Sequence, residues 1–157
     1  MKKEESPKSS FLKAKRVVFQ FLKIRLRSEA EIIQKLKNKH FDDDTIKKLV
    51  LFFKKLGLID DIKFSKLWVE ERLKKPLGFY RIRKELSQKG ISPEIIDKAI
   101  LEKKDTYDEK QVILETIQKK IKNASLPLSI KHKRRLYNYF VRRGFDIESV
   151  AEIINNL

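Results

Sequence analysis

The sequence predicts an all-α protein made of three tandem three-helix repeats, similar to helix-turn-helix units, that stack into an elongated, curved array. Apolar residues recur at intervals of three and four along the chain, as on the buried face of a helix, and no segment alternates with the period of two typical of strands. Only four glycines and four prolines occur in the 157 residues, which favours long helical segments. The third observation is an internal repeat.

The repeat becomes visible when the chain is shifted against itself by 50 residues and then by a further 54. Apolar residues then fall in register three times, at spacings that place them on one face of a helix. The aligned triplets are Ile32, Ile82 and Leu136; Leu36, Leu86 and Phe140; Ile46, Ile96 and Val150; Leu49, Ala99 and Ile153; and Val50, Ile100 and Ile154. This register predicts three copies of one small helical unit.

The turn between the second and third helix of each unit repeats as well. The residues whose side-chain oxygens are suited to cap the third helix are Asp42, Ser92 and Asp146. Gly90 and Gly144 align just before them, where a left-handed glycine commonly ends a helix. His40 takes this place in the first repeat, and histidine tolerates the left-handed conformation better than most residues with a side chain.

The elements follow from this register in chain order. A disordered leader is expected over residues 1–10, which are mostly polar and charged. The three repeats are then expected over residues 11–59, 60–106 and 107–157. Their helices are predicted at about residues 13–26, 28–39 and 42–56; 61–75, 79–89 and 92–104; and 108–123, 129–143 and 146–156. The extra four residues of the third repeat fall in the loop at 123–129.

The first helix of each repeat has its own apolar face. The residues that form it are Val17, Val18 and Phe21 in the first repeat, Phe64, Leu67 and Trp68 in the second, and Ile113, Leu114, Ile117 and Ile121 in the third. Because Trp68 lies on this face with Phe64, we expect it to pack in the core rather than to stack on a nucleic-acid base.

Composition and motifs exclude several kinds of site. The chain has no cysteine, and its two histidines, His40 and His132, lack a second ligand at metal spacing. No glycine-rich phosphate loop or catalytic triad is present. The paired carboxylates at residues 42–44 and 60–61 precede predicted helices, where negative charge and capping oxygens are favourable. We therefore expect no cofactor, no metal and no enzymatic activity.

The sequence also indicates where the protein works. The longest uninterrupted apolar run, residues 49–53, is far shorter than the roughly 20 residues of a membrane helix. The N-terminus lacks the apolar segment of a secretory signal. We therefore expect a cytoplasmic protein without membrane association.

The net charge of +16 favours anionic partners such as nucleic acid or a protein wrapped around it. Nine basic residues and no acidic one lie between Lys119 and Arg143. In this stretch Arg135 and Arg142 are seven residues apart, so they share a helix face, and arginine suits bidentate contact with phosphate or carboxylate. The candidate binding residues are Arg25, Arg27, Arg72, Arg81, Lys84, Lys131, Lys133, Arg134, Arg135, Arg142 and Arg143. The alternative interpretation is that these side chains form ordinary solvated helix faces.

The central stretch of the chain resembles the RecX family. The motif consists, in order, of Gly57-Leu58-Ile59-Asp60-Asp61, Phe64, Arg72, Gly78, Arg81-Ile82, Glu85-Leu86 and Lys89-Gly90-Ile91. The resemblance extends from about Lys13 to the C-terminus. Two positions depart from the family pattern: Pro76-Leu77 precedes Gly78 where members tend to have a glycine–proline run, and His40 replaces a glycine.

This resemblance implies a regulator that binds RecA, lies in the groove of the RecA filament on DNA, and inhibits strand exchange and the coupled ATP hydrolysis. An elongated basic array fits such a partner, because it can contact protein carboxylates and DNA phosphates together. Single- and double-stranded DNA are expected as secondary, non-specific partners, and the protein is expected to be a monomer. The alternative is a free-standing, non-specific DNA-binding protein that acts through the trihelical array.

Overall fold

A computed structural model describes residues 7–121 and 127–157, and in this part of the chain it contains nine α-helices and no strand. In chain order the helices are α1 (Pro7–Ile24), α2 (Glu29–Lys37), α3 (Asp43–Lys55), α4 (Asp61–Leu73), α5 (Phe79–Gln88), α6 (Pro93–Lys104), α7 (Glu109–Lys120), α8 (Ile130–Arg142) and α9 (Ile147–Asn155). The all-α class is confirmed. Apart from the start of α1, each helix lies within a few residues of its predicted position.

Helix α1 begins earlier than predicted. Residues 7–10 are helical, so the expectation of a disordered leader over residues 1–10 is wrong for them, while residues 1–6 lie outside the described residues. The Phe11 ring meets Phe52 of α3 edge-on, with ring centroids 6.3 Å apart. Packing against α3 therefore stabilises a turn that the polar local sequence did not predict. Of the predicted loop at 123–129, only residues 127–129 are described.

Each group of three helices encloses its own apolar core. Register-aligned residues such as Leu36, Leu86 and Phe140 are fully buried in the three cores, which confirms the repeat. The close packing between helices lies within each group, as between α1 and α3, α4 and α6, and α8 and α9. The three units are thus arranged in tandem and do not merge into a single core.

Acidic side chains begin several of the helices, as predicted. Asp42 and Asp146 each accept the backbone N–H three residues along, at 2.8 Å, and Asp60 does so at 2.9 Å. Ser92 makes no side-chain capping bond, although the sequence predicts one. Pro93 is the first residue of α6. Because proline has no backbone N–H, the start of this helix has one fewer donor that needs a hydrogen-bond partner.

The middle helix of each repeat ends at a left-handed residue. The backbone angle φ is 60° at His40, 75° at Gly90 and 78° at Gly144, as the aligned register predicts. Glycine adopts this conformation without the steric penalty of a Cβ atom. The equivalent helices α2, α5 and α8 therefore end in the same way.

The first and second repeats meet where α2 begins and α5 ends, a contact that we call the first joint. The Ser28 hydroxyl donates to the Lys89 carbonyl oxygen at 2.6 Å, and the N–H of the first residue of α2 donates to Asp61 Oδ1 at 2.9 Å. Gly90 lies directly against Ala30, so a Cβ atom on Gly90 would collide with the Ala30 side chain. Gly90 is therefore required for space as well as for its backbone conformation.

The second and third repeats meet in the same way where α5 begins and α8 ends, at the second joint. The Gly78 N–H donates to the Arg143 carbonyl oxygen at 2.9 Å, and the Tyr80 N–H donates to the Gly144 carbonyl oxygen at 3.2 Å. The N–H of the first residue of α5 donates to Glu109 Oε1 at 2.7 Å. A Cβ atom on Gly78 would overlap the backbone of Gly144. Backbone atoms of two repeats are therefore in direct contact.

The two joints have the same arrangement of helix ends. In each, the middle helix of one repeat begins at the end of the middle helix of the next, and a carboxylate at the start of the next repeat, Asp61 or Glu109, caps it. Helices α8, α5 and α2 thus run end to end. The C-terminus of one helix faces the N-terminus of the following one, which is favourable for the helix dipoles.

Burial raises the pKa of Glu109 above its ordinary value of 4.5, and likewise raises the pKa of Asp61. A carboxyl group whose pKa is higher in the folded state destabilises that state when it is charged, so stability falls as the pH rises from 4.5 through the raised pKa. Glu109→Gln keeps an acceptor for the N–H of α5 and removes the charge. We expect this variant to have a free energy of unfolding that depends less on pH in this window, measured by urea denaturation.

The matched control is Glu148→Gln, which removes a charge from an exposed position on α9. This control should keep the pH dependence of the parent protein. A Glu109→Gln variant whose stability varies more steeply with pH than that of the parent would contradict the role of the buried charge.

Candidate interface for an anionic partner

The second joint brings cationic side chains of two repeats into one groove of about 470 Å³, which we call the basic groove. Its lining residues are Arg72, Lys75, Leu77, Arg81, Tyr139, Arg142 and Arg143. Five of these side chains are cationic and none is acidic, so the groove is suited to an anionic group. Four of the five cations are among the residues that the sequence predicts.

A single carboxylate orients the part of the groove that belongs to the second repeat. Arg72 Nη2 lies 2.7 Å from Glu85 Oε1, and Arg81 Nε lies 3.1 Å from the same oxygen. The Trp68 indole N–H donates to the other carboxylate oxygen, Oε2, at 3.2 Å. Because Glu85 is mostly buried, it holds both guanidinium groups in defined positions.

The part of the groove that belongs to the third repeat is tied across the joint by side chain to backbone hydrogen bonds. Arg81 Nη1 donates to the Arg142 carbonyl oxygen at 3.2 Å, and Arg143 Nη1 donates to the Pro76 carbonyl oxygen at 3.1 Å. The Arg143 guanidinium also lies 4.5 Å from the centre of the Tyr139 ring. The geometry of the groove therefore depends on the position of the third repeat.

Two of the five cations can contact a partner without first breaking an ion pair within the protein. Lys75 and Arg142 have exposed side chains, and neither has an ion-pair partner in the part of the chain that is described. Arg72 has one buried nitrogen, Nε, that lacks a hydrogen-bond partner among the described residues. The groove thus combines guanidinium groups that Glu85 holds in position with two exposed cations, Lys75 and Arg142, that have no ion-pair partner among the described residues.

Beyond Arg81 and Arg142 the surface continues into a second depression of about 500 Å³. Lys84 lines it and is exposed, and the Tyr80 side chain is 60 % exposed beside it. The predicted residue Lys84 therefore extends the basic surface along α5.

The predicted arginines of the first repeat lie elsewhere. Arg25 forms an ion pair with Glu31 at 2.6 Å and lines a separate groove beside Trp68. The Arg27 side chain is only 11 % exposed, and its guanidinium lies 3.8 Å from the centre of the Phe21 ring. Burial lowers the pKa of Arg27. Arg27 therefore packs within the first repeat and leaves little surface for a partner.

The other basic residues of α8 lie outside the basic groove. Lys133 donates to the Asn155 carbonyl oxygen at 3.2 Å. The exposed members of this set are Lys131, Arg134 and Arg135. Although Arg135 and Arg142 are seven residues apart on one helix, only Arg142 lines the groove. Lys122, counted in the basic stretch, lies outside the described residues.

Sequence reasoning missed the roles of three residues, Lys75, Tyr139 and Glu85. The spacing of four between Arg81 and Glu85 on a predicted helix was an available signal for an ion pair. Nothing in the local sequence shows that Tyr139 of the third repeat lies beside the cations of the second. That proximity follows from the second joint.

Neither histidine belongs to a cluster of potential metal ligands in the described ranges 7–121 and 127–157. His132 Nδ1 lies 2.8 Å from the Ser129 hydroxyl at the start of α8. The helices in these ranges include none that is long and apolar enough to cross a lipid bilayer.

Comparison with known families and proteins gives one consistent result. Residues 14–52 match the family model for the first three-helix domain of RecX, and residues 60–100 match the model for its second three-helix domain. The chain is 34 % identical over 139 residues to the regulatory protein RecX of Prosthecochloris aestuarii, covering 87 % of this chain and 88 % of that one. It is 37 % identical over 134 residues to the regulatory protein RecX of Chlorobium phaeobacteroides, covering 85 % of each chain.

A solved structure has the same fold. The crystal structure of RecX from Lactobacillus salivarius superimposes with a TM-score of 0.78 at 22 % sequence identity, covering 94 % of this chain and 96 % of that one. This agreement extends over all three repeats, so the tandem arrangement of three-helix units is shared.

Proposed function

Since the chain belongs to the RecX family of regulatory proteins, we propose that it binds the RecA–DNA filament and restrains RecA-catalysed strand exchange and ATP hydrolysis. It acts by binding and performs no chemistry of its own. We further propose that it works in the cytoplasm as a monomer.

The basic groove is the observation that carries this proposal. A filament of protein on DNA offers phosphates and carboxylates close together, and the groove offers oriented guanidinium groups beside exposed cations. Bidentate contacts from arginine suit either anion. Because the units are in tandem, further cations such as Lys84 lie alongside the groove and lengthen the surface that meets an extended partner.

The test is the rate of RecA-catalysed ATP hydrolysis on single-stranded DNA with the protein added below the amount of RecA. We expect strong inhibition at this substoichiometric level, because a regulator that binds the filament can affect many RecA molecules. Inhibition that begins only when the protein is present in sufficient quantity to coat the DNA would favour simple competition. An unchanged rate at both levels would contradict the proposal.

The exposed basic residues on α8 favour a second candidate function, non-specific DNA binding. Lys131, Arg134 and Arg135 present a cationic face that does not depend on the second joint. Phosphate contacts of this kind weaken steeply with salt, because each neutralised phosphate releases counterions. Binding to DNA alone, measured across salt concentrations, separates this activity from binding to the RecA filament.

A further inference from the structure

A groove of about 410 Å³, which we call the Trp68 groove, lies between the connection from α1 to α2 and the helix α4, and it shares Arg72 and Lys75 with the basic groove. Its apolar part includes Leu26, Leu67 and Trp68, and its cationic rim is formed by Arg25, Arg72 and Lys75. Leu26 and Leu67 are 39 % and 40 % exposed, although both line the groove. The groove therefore leaves apolar surface open to solvent, bordered by positive charge.

The ring and the N–H group of the Trp68 indole already contact other side chains of the protein. The sequence predicts that it packs in the core, and the Phe64 ring is indeed stacked against it, with centroids 5.7 Å apart and an angle of 21° between the planes. The Lys89 ammonium lies 4.3 Å from the centre of the indole, and the indole N–H is donated to Glu85. Little ring surface remains for a nucleobase to stack on. The open leucines instead favour an apolar side chain as the occupant.

The charges on the rim favour an acidic occupant. The one carboxylate that lines the groove, Glu71, is paired with Lys74. Lys75 is exposed and has no ion-pair partner among the described residues, and Arg25 is partly exposed. Arg25 is paired with Glu31 and Arg72 with Glu85, so Lys75 is the rim cation that keeps its charge available, and a carboxylate of an acidic segment complements it.

We propose that the Trp68 groove binds an acidic peptide segment of a partner protein, which inserts one large apolar side chain between Leu26 and Leu67 while its carboxylates meet Lys75 and Arg25. This inference goes beyond the proposed function, because it requires neither RecA activity nor DNA. Because Arg72 and Lys75 line both grooves, such a peptide and a polyanion in the basic groove compete for these two cations.

Trp68 is the only tryptophan in the chain, so its fluorescence reports on this groove directly. The probe is a blocked hexapeptide of sequence EDLFDE, titrated into the full-length protein with excitation of the indole alone. We expect a saturable shift in Trp68 emission. Three matched probes test the recognition: EDSSDE lacks the apolar side chains, KKLFKK reverses the charge, and a short oligothymidylate offers bases and phosphates.

Two variants locate the binding site. Lys75→Glu and Leu67→Ser change exposed side chains in the groove, and each should weaken binding of EDLFDE by about fivefold or more. Lys98→Glu, a charge reversal at an exposed position on α6, should change it by less than twofold. Circular dichroism establishes that each variant keeps the helical content of the parent.

The proposal is overturned if EDSSDE or KKLFKK binds as tightly as EDLFDE, if the folded Lys75→Glu and Leu67→Ser variants bind as tightly as the parent, or if only oligothymidylate gives a saturable signal. The titration contains no RecA. Its failure therefore leaves the proposed function intact, and a failure of the RecA assay leaves this inference intact.

Discussion

Replacing Gly144 by alanine is expected to lower the free energy of unfolding by about 3 kcal/mol or more. Its φ of 78° disfavours a Cβ atom by about 1–2 kcal/mol. The added Cβ would also collide with the backbone nitrogen of Arg81, so the second joint has to open. Opening breaks the hydrogen bonds from the N–H groups of Gly78 and Tyr80, each contributing about 1 kcal/mol. Urea denaturation measures the loss.

Gly57→Ala is the matched control for backbone conformation alone. Gly57 has a φ of 66°, and a Cβ atom there would meet nothing within 4 Å. Gly57→Ala should therefore lower the free energy of unfolding only by the cost of placing alanine in the left-handed conformation, about 1 kcal/mol. Equal losses in the two variants would show that the second joint does not hold the repeats in close contact. Gly90→Val at the first joint should behave like Gly144→Ala, because it meets Ala30.

Reversing two charges on the basic surface, in the double variant Lys84→Glu/Arg142→Glu, is expected to raise the concentration needed to inhibit RecA by roughly tenfold or more. Both side chains are exposed, and the Arg142 carbonyl that holds Arg81 is unaffected by the substitution. Stability should change by only about 0.5 kcal/mol, so loss of folding is easily excluded. Inhibition of ATP hydrolysis at several salt concentrations is the measurement.

The matched control is Lys131→Glu/Arg134→Glu, which makes the same change of charge at exposed positions on α8 that do not line the groove. If the basic groove and the depression beside it form the contact, this control should inhibit nearly as well as the parent. A folded Lys84→Glu/Arg142→Glu variant that inhibits as strongly as the parent would place the contact elsewhere on the protein. The Lys84→Glu/Arg142→Glu variant should leave binding of EDLFDE unchanged, because neither residue lines the Trp68 groove.

The sequence predicted the helices well because their determinants are local. Apolar spacing of three and four, acidic caps such as Asp42, and the left-handed positions are all set by neighbouring residues. The start of α1 was the exception, since contact between Phe11 and Phe52 of α3 joins residues far apart in the chain. Polar residues before Phe11 are helical because the helix they extend is anchored by packing.

For the candidate site, the sequence predicted which residues carry positive charge but not which of them lie together. Arg72, Arg81, Arg142 and Arg143 were identified as cations, but periodicity gives no information about which repeats face each other. The backbone contact between Gly78 and Gly144 brings them together, and its sequence signal is only a pair of glycines. Arg27 shows the converse, because a charge that was counted as available is covered by the Phe21 ring.

The left-handed residues at the ends of the middle helices differ in whether another unit packs against them. Gly90 and Gly144 are each pressed against the preceding unit, so a side chain is excluded there by a neighbour. His40 has the same backbone conformation, yet it is exposed, and no other unit in the described residues covers it. In this chain glycine therefore stands at the two aligned positions where a neighbouring unit leaves no room for a side chain, and a residue with a side chain stands at the aligned position that is exposed.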